Sequence, residues 1–331
     1  MKLSILDYVP IFEGRNATQA LNHTVELAQL AESLGYYRYW VAEHHQVYSV
    51  ASSAPEMVMM TLLEQTSSLH IGSGGVMLPH YSAYKIAEQF KLMEARHPGR
   101  VDLGTGHSPS FKSVNKALNE EKTKPVSYQT QITDLLHYFN SDTSNKHRFK
   151  GLQATPLIET SPNMYILGTS KQSATIAAEN KLPFVIALMG QDYNHTKNVI
   201  SYYRELYNQL HPEGLPYVIV STFVITASHQ NQVTELEQSF HLWLMRISYL
   251  NQPKSYFPPK YALNRKYSSR EKDKIKRNHN RVISGSPKEV IERLNSIILE
   301  FEADEIMIQP HIYGENARKS LIELLDQENI D

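Results

Sequence analysis

Short apolar runs and longer segments of mixed polarity alternate along the whole chain. Apolar, β-branched runs bounded by turn residues predict strands at Leu3 to Val9, Tyr37 to His44, His70 to Leu78, Val101 to Gly106, Met164 to Thr169, Phe184 to Met189, Tyr217 to Thr226 and Glu305 to Gln309. Between them, apolar residues recur at helical spacing. In Ala17 to Gly35 the residues Ala20, Leu21, Val25, Leu27, Ala28, Leu30, Ala31 and Leu34 make a broad stripe that Gly35 can stop. The same spacing predicts helices at Pro55 to Ser67, Ala83 to Arg96, Val126 to Phe139, Ser173 to Asn180, Tyr193 to Gln209, Val233 to Leu250, Pro287 to Phe301 and Ala317 to Leu325. Parallel strands need crossovers and helices supply them, so the alternation predicts a parallel sheet. The strands are continuously apolar, as expected when both sheet faces are covered. Eight strand–helix units favour closure into a (β/α)8 TIM barrel, an α/β fold spanning 1–331 as one domain. Two stretches exceed a minimal barrel: an insertion after the fourth strand, near 141–163, read as a flap or short hairpin, and one after the seventh, near 251–281.

Composition narrows the function classes. The 331 residues carry 33 Lys plus Arg against 34 Asp plus Glu, a formal charge of -1, which provides no global field for nucleic acid or an anionic membrane. The absence of Cys excludes disulfides, zinc–thiolate sites, iron–sulfur clusters and thiol nucleophiles. An acid at Asp7 interrupts what would be the apolar region of a signal peptide, and the apolar-leaning run Tyr217 to Ala227 is too short to span a bilayer. A cytoplasmic enzyme is the expectation. The 251–281 stretch is dense in Lys and Arg with only Glu271 and Asp273 to offset them, and reads as a solvated face or as a lid that brings cations to an anionic ligand.

Glycine locates the candidate chemistry. Gly72, Gly74, Gly75, Gly99, Gly104 and Gly106 place six of 14 glycines in one short stretch, which suggests close approach of the backbone to something else. In a barrel the active site lies at the carboxyl ends of the strands. The third strand would present the small residues Gly72-Ser73-Gly74-Gly75 as a flat wall, or a bulge. The second ends in Glu43-His44-His45; adjacent strand residues face opposite ways, so at most one of these histidines should enter the mouth. That histidine could serve as an acid/base group, a structural residue or, with His70, His80 or His107, a metal ligand, although no metal-binding spacing is present and no metal is expected. After the fifth strand, Thr169, Ser170 and Ser173 offer hydroxyls at a helix start, suited to a phosphate or simply to helix capping.

These segments together carry a family resemblance. Val41-Ala42-Glu43-His44-His45, Gly72 to Pro79, Ala87-Glu88-Gln89-Phe90, His97 to Gly104, Leu167-Gly168-Thr169-Ser170, Ser284-Gly285-Ser286-Pro287 and Asp304 to Met307 resemble the bacterial luciferase-like flavin monooxygenases, and their other oxidoreductases more than the light-emitting members. The resemblance implies a (β/α)8 barrel that takes reduced FMN from a separate flavin reductase and uses it with O2 to oxygenate a small organic substrate. It implies His44 as the catalytic histidine, a cis peptide at Gly74-Gly75 forming the wall against the flavin, Leu167 under the ring, and Thr169, Ser170 and Ser173 at the phosphate. Where many relatives carry a phosphate-gripping arginine this chain has His107, which is not permanently charged, so cofactor affinity should depend on pH. Pairing as a homodimer through Pro55 to Ser67 and Ala83 to Arg96 is also implied. Three other readings stay open: a deazaflavin- or FMN-dependent dehydrogenase or reductase of this fold, a barrel isomerase or metal-dependent hydrolase, and a non-catalytic flavin-binding barrel.

Overall fold

The computed structural model describes residues 1–120, 122–141, 147–188, 190, 192–249 and 251–330. Its strands are β1 (Leu3–Asp7), β2 (Arg38–Val41), β3 (His70–Met77), β4 (Val101–Gly106), β5 (Asn163–Leu167), β6 (Phe184–Ala187), β7 (Val218–Thr226), β8 (Val282–Gly285) and β9 (Glu305–Gln309). Eight of them close into a parallel barrel in the order β1-β2-β3-β4-β5-β6-β7-β9, with β9 returning to β1. Helices α1 (Ala17–Ser33), α2 (Pro55–Gln65), α3 (Ala83–Arg96), α4 (Lys112–Leu118), α5 (Tyr128–Phe139), α6 (Lys171–Glu179), α7 (Tyr193–Leu210), α8 (Gln230–Arg246), α9 (Pro259–Asn264), α10 (Ser269–Asn278), α11 (Pro287–Phe301) and α12 (Glu315–Ile330) form the outer layer and the insertions. The TIM barrel read from the sequence is the fold observed. Among the described residues no helix is long and apolar enough to cross a membrane.

Four elements lie outside the sequence reading, each for a local reason. Strand β8 is short and half polar, and it pairs only with the end of β7, Val282 opposite Phe223 and Gly285 opposite Thr226. Helix α4 has no buried residue to set an apolar period. Helix α10 has Ile275 as its single apolar residue, but Ser268 and Glu271 form a reciprocal capping box at its start. With α9 it docks on α8 through a small core of Leu242, Met245 and Ala262 joined by Tyr249, Phe257, Tyr267 and Ile275. The basic stretch is therefore a docked helical pair, with Lys254, Lys260, Lys266, Arg270, Lys272, Lys276 and Arg277 exposed on it.

The first insertion is not a hairpin among its described residues, which contain no strand before β5. His147 and Arg148 bind Asp134 of α5 at 3.2 and 2.7 Å, and the Lys91 ammonium of α3 donates to the Ala154 carbonyl at 2.8 Å. These bonds hold it against the outer helices. Residues 142–146 of that insertion, Met189 at the end of the expected sixth strand and Leu250 at the end of an expected helix lie outside the described residues.

A buried ion network closes the amino-terminal end of the barrel. Arg38 donates to Asp102 at 2.6 Å, to Glu305 at 2.8 Å and to the Tyr165 hydroxyl at 2.7 Å, and Trp40 Nε1 donates to Asp102 at 2.9 Å. Burial would raise the Asp102 carboxyl, but the His70 ring beside it at 3.7 Å and the charge of Arg38 hold it below the ordinary carboxylate range. A buried ion pair is maintained only where such bonds saturate both partners.

Above this network Trp40 fills the barrel axis, and two of the six clustered glycines leave room around it. A Cβ on Gly72 would lie 2.3 Å from Trp40 Nε1, and one on Gly104 would lie 2.2 Å from the Ser73 carbonyl oxygen and 3.0 Å from the Trp40 ring. These two glycines are barrel packing, not cavity wall. Gly104→Ala has to displace backbone, so it should lower unfolding stability by about 2 kcal/mol or more, read from the denaturant midpoint. An unchanged midpoint would show that β3 and β4 can separate without cost.

Candidate active site

At the carboxyl ends of the strands the barrel opens into a cavity of about 830 Å³. That volume falls in the usual range for a cofactor or ligand site. All eight residues singled out from the sequence, His44, Gly74, Gly75, His107, Leu167, Thr169, Ser170 and Ser173, line this one cavity. Neither insertion contributes to its wall among the described residues; Ile247 and Ser248, just past α8, do. Among the described residues the lining contains no lysine or arginine.

Strand β2 stops at Val41, three residues earlier than its apolar run suggested, and the chain then turns. The Ala42 N–H donates to the Asp7 carbonyl and the His44 N–H to the Ser52 carbonyl, both at 2.9 Å. Free of strand alternation, His44 and His45 both reach the cavity, contrary to the one-histidine expectation. The His44 ring lies 4.6 Å from the Tyr8 ring, centroid to centroid, and its Nδ1 is buried without a hydrogen-bond partner. Burial, reinforced by the neighbouring His45, pushes the His44 pKa down to about 4, so the imidazole is neutral near pH 7 and able to accept a proton.

His45 is held differently. The buried Glu43 carboxylate pairs with His45 Nε2 at 2.6 Å, accepts from the Tyr81 hydroxyl at 2.7 Å and from the Met77 N–H at 2.9 Å. Glu43 thus ties the loop after β2 to the end of β3 and fixes the orientation of His45. Burial and this carboxylate push the Tyr81 phenol well above its ordinary value. Sequence reasoning quoted Glu43 without assigning it a role, and it passed over Tyr8, Ser221 and Gln309, which also line the cavity. An acid immediately before a candidate catalytic histidine at a strand end was the available signal.

The opposite wall is backbone. The Gly74-Gly75 peptide is cis, and the β3–β4 register shifts between Gly74 and Val76. A Cβ on Gly75 would lie 2.8 Å from the Gly104 carbonyl oxygen and 3.1 Å from Leu167, so only glycine leaves this surface flat. At the end of β5, α6 begins at Lys171, two residues before the expected start. Ser170 is its N-cap, and its Oγ accepts the Ser173 N–H at 3.3 Å. Ser173 is fully buried with its hydroxyl 3.2 Å from that of Ser170. A Cβ on Gly168 would lie 2.2 Å from Ser173 Oγ, so this glycine allows the corner to form. The Thr169 carbonyl accepts from His195 Nε2 at 2.9 Å. His107 is exposed at the mouth, its ring 4.9 Å from that of Tyr128.

The barrel agrees with the comparison to known proteins. A sequence model of the luciferase-like monooxygenases matches residues 1–299. The chain belongs to the luciferase-like monooxygenase family. Among curated relatives of this family, the N-acetyl-S-alkylcysteine monooxygenase of Bacillus subtilis is 39% identical over 237 residues, 71% of this chain and 70% of its own. The solved apo structure of MsnO8 superposes with a TM-score of 0.87 at 28% identity, covering 99% of this chain and 98% of that one. Two more distant structures share the fold. The oxygenating constituent of 3,6-diketocamphane monooxygenase from Pseudomonas putida, solved with FMN, gives a TM-score of 0.71 at 17% identity and covers 99% of this chain and 97% of its own. An F420-dependent secondary alcohol dehydrogenase gives 0.63 at 16%, covering 98% and 99%.

Proposed function

We propose that this luciferase-like monooxygenase takes reduced FMN from a separate reductase and uses it with O2 to oxygenate a small organic substrate. The observation that carries the reading is the convergence of the Gly74-Gly75 wall, the Thr169–Ser173 corner and neutral His44 on one cavity. Bound reduced FMN would supply the electrons that activate O2. The chain's part is position, dryness and protons. Gly74, Gly75 and Leu167 form a flat surface for the flavin ring. Thr169, Ser170, Ser173 and the first turn of α6 would hold its phosphate, with His107 at the mouth. His44 holds or accepts a proton beside the ring, and the buried Tyr8 phenol, pushed well above its ordinary value chiefly by burial, stays a donor at neutral pH. Leu6, Val47, Val185 and Met307 keep water away. An N-acetylated S-alkylcysteine, as named for the B. subtilis relative, is a candidate substrate class.

The lack of a lysine or arginine in the lining sharpens the role of His107. If it meets the phosphate, its ring N–H donates to a phosphate oxygen, and His107→Ala should weaken FMN binding about threefold or more. Fluorescence titration of FMN into wild type and His107→Ala checks this. An unchanged Kd would remove His107 from the site. The same titration with the deazaflavin F420 decides the second reading, a dehydrogenase, which the fold shared with the F420-dependent alcohol dehydrogenase keeps in view. Oxygen uptake with reductase, FMN and a thioether substrate separates an enzyme from a flavin-binding barrel. A homodimer through α2 and α3 accompanies the reading: Met57 and Leu92 are exposed there at 69% and 58%. Light scattering measures it.

A further inference from the structure

Among the described residues the cavity wall has no lysine or arginine, yet an arginine without a hydrogen-bond partner stands beside it. Arg281 closes the basic insertion, one residue before β8. Its Nε is buried without a hydrogen-bond partner, and no hydrogen bond or ion pair engages its terminal nitrogens among the described residues. The other basic residues of the insertion are exposed or occupied: Arg265 pairs with Glu271 at 2.6 Å, and Lys274 donates to the Met245 carbonyl and the Ser248 hydroxyl at 3.0 Å. A buried guanidinium nitrogen with no acceptor is costly, and the group stays charged at any physiological pH.

The backbone places this charge beside the cavity floor. Val282 sits opposite Phe223 of β7, so Arg281 lies at the level of Thr222, next to the lining residue Ser221. Its stem packs on Gly190, beyond the end of β6: a Cβ there would lie 2.7 Å from Arg281 Cγ, and the Gly190 φ of +80° is itself a glycine conformation. The Tyr8 phenol, neutral at physiological pH, lies within electrostatic reach of the guanidinium, and no carboxylate does among the described residues. Tyr8 lines the cavity, its ring lies 5.7 Å from that of Phe223, and its hydroxyl makes no hydrogen bond among the described residues. Two donors of an anion site, one cationic and one phenolic, are thus present and unengaged.

We propose that Arg281 and Tyr8 anchor the carboxylate of the organic substrate, so that this enzyme acts on small carboxylic acids. The proposal rests on the monooxygenase reading above. The flavin phosphate is the other available anion, but its hydroxyl corner follows β5, and β1, whose end leads into Tyr8, lies four strands away in either direction around the barrel. The insertion after β7 then has a purpose: α9 and α10, docked on α8, fix the segment that delivers the arginine.

The test uses 4-(methylsulfanyl)butanoate and its methyl ester, which differ in the charge of the acid end, titrated calorimetrically into the protein with and without FMN. Wild type should bind the acid about tenfold or more tightly than the ester, the size expected for hydrogen bonds to a charged group. Arg281→Met, which keeps the stem on Gly190, should lose that preference with FMN affinity unchanged, Arg281→Lys should keep part of it, and Tyr8→Phe should weaken it. Equal binding of acid and ester by wild type, no binding of either, or an undiminished preference in Arg281→Met overturns the proposal. A loss of FMN affinity in Arg281→Met with the acid preference intact assigns the arginine to the phosphate and overturns it as well. Failure of wild type to bind FMN at all removes the parent reading instead, and the cofactor-free titration still reports on Arg281.

Discussion

His44→Gln is expected to slow oxygen-dependent turnover by about 100-fold or more, the usual span for removing a positioned acid or base, while FMN affinity stays within about twofold. The separation follows from the structure. His44 touches the cavity through a ring tilted against that of Tyr8 and has no partner at its buried Nδ1 among the described residues, so glutamine removes a proton acceptor without breaking a bond that holds the pocket. Turnover is read by oxygen uptake with a flavin reductase supplying reduced FMN, and affinity by fluorescence titration. Because His44 is displaced to a pKa of about 4, the wild-type dependence on this group should be flat from pH 6 to 8 and fall only in more acid solution. A change of less than about threefold in the variant would place the proton chemistry elsewhere, with the Glu43–His45 pair the next residues to replace.

The largest stability effect should come from acid. His23, His241 and His311 are buried with both ring nitrogens lacking partners among the described residues. Burial depresses them: His23 to about 3, with the Arg318 charge also contributing, His241 to about 4, and His311 well below its ordinary value. In the unfolded chain each histidine titrates near pH 6.5. Between that value and the folded pKa the unfolded state binds more protons than the native one, so stability rises with pH across this window. It is complete above about pH 6.5, and it declines toward pH 4 by about 1.4 kcal/mol per pH unit for each histidine acting fully. His44 contributes less than these three, since its cavity face admits water. Melting temperatures should therefore be constant from pH 7.5 to 6.5 and fall steeply by pH 4.5, with His241→Leu reducing the slope by about one proton. A melting temperature that holds to pH 4.5 would mean the buried rings find partners in solution.

Much of the site was readable because strand ends in a barrel are also its active-site positions. The glycine-rich third strand, the Glu43-His44-His45 ending of the second and the hydroxyls after the fifth each follow from a pattern of residue types. They converge because eight strands close. What misled was local. Apolar content carried the expected second strand to His44, whereas hydrogen bonds from Ala42 and His44 to Asp7 and Ser52 end it early and turn both histidines inward. The glycine cluster pointed to the right strands for a partly different reason, since Gly72 and Gly104 make way for Trp40. Arg281 could not be told from the exposed bases around it, because its lack of a partner depends on Gly190 and Tyr8, far away in the chain.

The amino-acid sequence by itself determined the alternation of strands and helices, the parallel barrel that alternation requires, and the residue types at each strand end. Periodicity and turn chemistry are properties of neighbouring residues, so no tertiary contact is needed to read them. Only the tertiary structure decided which side chains face the cavity, which charges are paired and which imidazoles are neutral. Those properties depend on burial and on partners contributed by distant segments, as with Asp102 held by Arg38 and His70, His44 enclosed beside Tyr8, and Arg281 left without an acceptor.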